Sequence, residues 1–189
     1  MKILIACEYS GVVREAFANK GHYAMSCDLL PTDQPCSSGT DHHQGDVFDV
    51  LYADWDLVIA HPPCTYLCNS GVRWLKNNVA RWNSMIDACD FFNAFKGVKC
   101  PYVIENPIMH RYAKERCGQQ SQVVHPWMFG HGEQKATCLW IKDLPLLKPT
   151  NIVEGRELRI WKLGPSKDRG KERSKTFEGV ASAFAEQYG

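Results

Sequence analysis

The sequence predicts an α/β domain built on a doubly wound, mostly parallel sheet. Three observations carry that expectation. Strand-sized apolar runs alternate with helical patterns from the start of the chain. Most runs end in a polar or reactive residue, which is where an open parallel sheet carries its ligands. The length, 189 residues, suits one domain with a well-buried core and would crowd two.

Lys2 to Ala6 reads as a buried strand. Gly11 opens a helical stretch, Val12 to Asn19, with Val13, Ala16 and Phe17 on one face, and Gly21 stops it. His22 to Cys27 is a second strand that ends at Asp28. A polar loop with Pro31, Pro35 and Gly39 follows, and Gly45-Asp46-Val47 ends a short third strand. Asp56 to Ala60 is a fourth strand that runs into His61-Pro62-Pro63-Cys64. The longest helical pattern spans Val72 to Phe95, with apolar residues every three or four positions and Asn69 or Ser70 as its cap. Tyr102 to Ile104 is a strand ending at Glu105-Asn106-Pro107. Gln122 to Val124 and Thr137 to Ile141 are further strands. A C-terminal helix is expected over 176–187, with Phe177, Val180, Ala181 and Phe184 inward.

Composition narrows the class. Hydrophobic residues make up 44% and charged residues 23%, as in a soluble globular protein. The apolar run after Met1 is too short for a signal peptide or a membrane span, and Glu8 closes it. Nine cysteines, an odd count, argue against a purely intramolecular disulfide framework. A cytoplasmic protein, in a bacterium or a phage-infected host, is the expectation. Cys36, His42 and His43 lack a fourth ligand at a known spacing and read as a polar loop, so no metal is expected. The net charge of +1 is unevenly spread. Between Arg156 and Lys175 there are eight basic and three acidic residues. This segment, expected as a basic loop, includes Lys167, Arg169, Lys171, Arg173 and Lys175 and can grip a phosphate backbone or remain a solvated loop. Arg73, Lys76 and Arg81 are further candidates, with an exposed helix face as the plainer reading. Trp74, Trp82 and Trp161 could stack on bases or belong to the core.

The residues that follow the strands converge on one rim: Cys7-Glu8-Tyr9-Ser10-Gly11, Asp28, Asp46, His61-Pro62-Pro63-Cys64 and Glu105-Asn106. This ordered set resembles the DNA cytosine carbon-5 methyltransferases, over about Ile3 to Leu139 with a weaker echo at the C-terminus. The resemblance implies a Rossmann-like fold that binds S-adenosyl-L-methionine (SAM) and methylates cytosine in DNA. Glu8, Tyr9, Ser10 and Gly11 then form the first cofactor loop. Asp28 takes the ribose hydroxyls, since a carboxylate offers acceptors to both. Asp46 reads the adenine amine, and Pro63-Cys64 is the nucleophile motif with Pro63 against the cofactor. Glu105 and Asn106 hold the target cytosine.

The residue types suit that chemistry. A thiolate adding at carbon 6 makes carbon 5 enamine-like, so that it can attack an electrophilic methyl group. A carboxyl group at ring nitrogen N3 prevents build-up of an isolated anion. Departures from the family are plain. Gln134-Lys135 begins like its arginine-rich motif, but Ala136, Thr137 and Cys138 follow. Little chain remains for a large target-recognition domain, so the chain resembles a minimal, phage-type member. A free cytosine nucleotide or RNA is an alternative substrate, and a homodimer could supply a missing surface. Two other classes remain open. One is an amino-group methyltransferase acting on cytosine N4 or adenine N6, which His61-Pro62-Pro63-Cys64-Thr65-Tyr66 resembles in part. The other is a non-catalytic nucleic-acid-binding protein on the same scaffold.

Overall fold

The computed structural model describes residues 1–167 and 169–189, and all of their side chains except that of Trp161. The stacking role considered for Trp161 lies outside the described residues, as does Asp168 of the basic segment. The architecture is α/β, on a seven-stranded mixed sheet ordered β3-β2-β1-β4-β5-β7-β6. The strands are β1 (Lys2–Ala6), β2 (Tyr23–Asp28), β3 (Thr40–Gln44), β4 (Leu57–Ala60), β5 (Tyr102–Pro107), β6 (Gln122–Val124) and β7 (Thr137–Lys142). β1 to β5 run parallel, and β7 lies antiparallel to both β5 and β6.

The strands at the centre are apolar throughout because both of their faces are covered. Leu4, Ala6, Val58, Ala60 and Ile104 face one layer, where Met85, Cys89 and Phe92 of α2 (Val79–Ala94) pack with Ala113 and Cys117 of α3 (Arg111–Cys117). Ile3, Ile5, Leu57, Ile59 and Val103 face the other, against Val13 and Phe17 of α1 (Val12–Ala18) and Val180, Ala181 and Phe184 of α6 (Glu178–Tyr188). The chain winds outward from β1 through β2 to β3, then returns to β4 on the other side of β1. That reversal creates a crevice beyond the carboxyl ends of β1 and β4.

Three elements differ from the sequence reading. The long helix expected from Val72 is broken. A 3₁₀ segment covers Asn69–Leu75, Asn77 takes a left-handed φ of 56°, and the Asn78 side chain caps α2 by accepting from the Arg81 amide. Asn tolerates this conformation and caps well, so it stops one helix and starts the next. Val79, one of the apolar residues that continue the helical period, is 75% exposed as a result. α3 was not foreseen; its buried residues are the small Ala113 and Cys117, which give a weak apolar signal. The basic stretch is partly helical, with α4 (Arg159–Lys162) and α5 (Arg169–Ser174). Among the described residues no helix is long and apolar enough to cross a membrane.

Candidate functional site

The loop after β1 turns sharply, with Cys7 at φ 58° and Gly11 at φ 76°. Gly11 is needed for that backbone, and a Cβ there would also stand 2.8 Å from the Arg14 guanidinium. The buried Glu8 carboxylate accepts from the amides of Val13 (2.7 Å) and Arg14 (3.2 Å), and from the Ser10 hydroxyl. It satisfies the unpaired amides at the start of α1, so its first role is to fix the loop. Behind it, Arg14 is wholly buried and donates to Ser26, Thr32 and the Gln34 carbonyl. Arg14 thereby staples the polar β2–β3 loop onto α1. An arginine on a short helix reads as exposed, and no sequence signal marked this one.

Asp28 and Asp46 stand at or just beyond the ends of β2 and β3. Each uses one oxygen locally: Asp28 accepts from the Leu30 amide, and Asp46 caps the turn at Phe48. Neither reaches the main cleft lining. Both lie near enough to Cys7 that, after burial, their charges help push its thiol up. Cys36 is exposed, while His42 is held by Ser26 and the Leu30 carbonyl.

β4 and β5 supply the reactive groups. Asn106 is buried, and its amide donates to the Pro62 carbonyl at 2.7 Å, locking the loop after β4 to β5. His61 Nδ1 stands 3.2 Å from Glu105 Oε2, and His61 Nε2 is buried without a partner among the described residues. Burial raises the Glu105 pKa, but the His61 hydrogen bond and the Lys135 charge outweigh it and hold the carboxyl below its usual range. Cys64 is half-buried and opens a tight turn, its carbonyl accepting from the Leu67 and Cys68 amides. Its thiol lies close to that of Cys68, which Ser70 contacts at 3.0 Å. The two thiols are pushed apart: the neighbouring Cys64 and Ser70 lower Cys68, while Cys68, burial and the Glu105 charge push Cys64 up. Sequence reasoning missed this pair because a four-residue spacing inside a loop has no motif.

These groups line one cleft whose empty space, open mouth included, is ≈ 580 Å³. Glu8, Tyr9, Ser10, Pro63, Cys64, Glu105 and Asn106 all face it. Gly11, Asp28 and Asp46 lie outside its lining, as do Arg73, Lys167, Arg169 and Lys171. Lys135 and residues 173–175 form its far wall.

The basic segment closes over the first loop. The Tyr9 hydroxyl donates to the Lys171 carbonyl at 2.7 Å, and Asp33 pairs with both Lys171 (2.7 Å) and Lys175 (2.9 Å). Arg169 donates to the Leu163 carbonyl, and Arg173 reaches the Ile160 carbonyl. Lys167 is exposed, and Arg73 lies over the Trp74 ring at 4.6 Å.

No family model matches the chain, and no curated protein matches it. Among solved structures it is similar to a co-crystal structure of WbdD with the kinase inhibitor LY294002, at 10% identity and a TM-score of 0.39. The match covers 76% of this chain, which spans 36% of that one.

Proposed function

We propose that the protein transfers a methyl group from SAM to carbon 5 of cytosine in DNA, with Cys64 as the nucleophile. The observation that carries this reading is the meeting of Cys64 and Glu105, from the ends of adjacent strands, in one cleft beside the glycine-containing loop after β1. A Rossmann-like crevice at the β1/β4 reversal is where such a fold binds its cofactor.

The residues present fit SAM. Asp28 and Asp46 each keep one carboxylate oxygen free of the local bonds described, near the Cys7 turn. They suit hydroxyls and an amine, while Tyr9, Ser10 and Pro63 line the adjoining cleft. The cofactor would supply an electrophilic methyl group there.

The chain's own residues do the rest. Cys64 passes its thiol proton to the Cys68 thiolate and its sulfur adds to carbon 6 of the base, moving the C5=C6 electron pair to carbon 5. Once carbon 5 carries the methyl group, loss of its proton to water breaks the C6–S bond, restores the double bond and frees Cys64. Glu105, hydrogen-bonded by His61, faces ring nitrogen N3 and the exocyclic amine, which distinguishes cytosine from thymine. Asn106 holds the Cys64 loop against β5, so the sulfur and the carboxyl keep a fixed spacing. Lys135 is the cation available where the resembled family has arginines. A base in DNA must leave its stack to reach this cleft.

Incubation with methyl-labelled SAM and cytosine-containing DNA, followed by digestion to nucleosides, tests the reading. The expected product is 5-methylcytosine. Label on N4 of cytosine or N6 of adenine would replace it with the amino-group reaction.

A further inference from the structure

The surface outside the cleft mouth carries a recognition feature of its own. The loop after Cys64 displays Tyr66, 37% exposed, and Trp74, 55% exposed. Each ring is paired with a guanidinium: Arg81 over Tyr66 at 5.1 Å, and Arg73 over Trp74 at 4.6 Å. A third pair, Arg111 over Tyr112 at 4.4 Å, joins the same face, since Tyr112 packs on Trp82 at 4.9 Å. A bridge between Cys68 and Met109 ties the two loops together.

Along the segment that carries Tyr66, Arg73, Trp74 and Arg81 the charge is of one sign: no acidic residue occurs between Asp56 and Asp87. Among the described residues none of Arg73, Arg81 and Arg111 makes an ion pair. In the C-terminal basic segment Lys171 and Lys175 are held by Asp33, and Arg159 by Glu133. Cations free of a carboxylate partner therefore stand beside the exposed rings of this face as well as on the basic segment. A second copy of this chain would meet like charge here, whereas a phosphate backbone would be attracted.

Exposed rings with guanidinium partners suit unpaired bases, which offer a π-face that a base-paired stack conceals. We infer that the Tyr66–Arg81 and Arg73–Trp74 pairs form a platform for a single strand of DNA, stacking the bases that flank a cytosine placed in the cleft. This rests on the proposed reaction for the identity of the strand. An unpaired cytosine also needs no extrusion from a duplex.

The test is binding of a fluorescently labelled cytosine-containing oligonucleotide, single-stranded or as a duplex, measured by anisotropy without cofactor. The single strand is expected to bind at least about tenfold tighter than the duplex. Trp74→Ala and Arg81→Gln, both at the surface, should each weaken it about tenfold. Equal binding of strand and duplex would overturn the platform, as would unchanged affinity in both variants. Tighter binding of an RNA strand of the same sequence would overturn the DNA assignment. Because no chemistry is read, failure here is separable from failure of methyl transfer, which free 5-fluoro-dCMP reports through a Cys64 adduct without any flanking base.

Discussion

The Asn106 side-chain amide donates to the Pro62 carbonyl across 2.7 Å, from a position that is 1% exposed. The bond couples two strand ends whose next residues are the proposed nucleophile loop and the proposed base-binding carboxyl. Asn106→Ala leaves that carbonyl buried without its donor. The expected cost is about 2 kcal/mol of unfolding free energy by denaturant titration, with a larger proportional loss in the rate of Cys64 adduct formation. A stability loss with an unchanged adduct rate would remove Asn106 from positioning.

Cys68 should be the reactive thiol of its pair. Its pKa is lowered from the ordinary thiol range by the neighbouring Cys64 thiol and by Ser70. A lowered pKa means the thiolate persists to more acid pH than that of an ordinary thiol and is lost as pH falls through the lowered value. Iodoacetamide should therefore alkylate Cys68 readily at about pH 6, where an ordinary thiol is almost wholly protonated. Cys64→Ala removes the donor and should slow that alkylation, as peptide mass spectrometry would show.

Glu8 is expected to matter first for stability. Glu8→Ala unsatisfies the Val13 and Arg14 amides at the start of α1 and should cost about 2 kcal/mol. Glu8→Gln keeps an acceptor and should cost less. Equal losses in thermal melts would count against the cap.

Arg14→Met should cost about 3 kcal/mol, since it removes the donors that hold Ser26, Thr32 and the Gln34 carbonyl. Limited proteolysis should then cut within 30–38, where the wild-type loop resists.

Gly179→Ala should destabilise by about 2 kcal/mol or more, because the new Cβ would lie 1.8 Å from the Phe129 carbonyl oxygen. An unchanged melting temperature would contradict this packing of α6.

Most strands were legible because they are apolar blocks closed by a polar residue; β3, Thr40–Gln44, is polar throughout and was placed only by the Gly45-Asp46 that follows it. Cys64, Glu105 and Asn106 could be singled out for the same reason: strand-end residues of a parallel sheet gather at one edge. The break at Asn77-Asn78 was hidden, because apolar residues on either side continue a helical period across it. Arg14 was hidden because its partners come from a loop folded back on it. The clamp between Asp33 and Lys171 joins residues 138 apart, and no local pattern announces such a contact. The basic segment thus read as a phosphate grip or a solvated loop, while two of its lysines pair with one carboxylate.

Covalent capture tests the central claim most directly. DNA containing 5-fluorocytosine, incubated with the protein and SAM, should yield a denaturation-resistant complex joined through the sulfur of Cys64. Cys64→Ala should form none. Methyl transfer that continues undiminished in Cys64→Ala, or a stable adduct mapped to any other residue, would contradict the account.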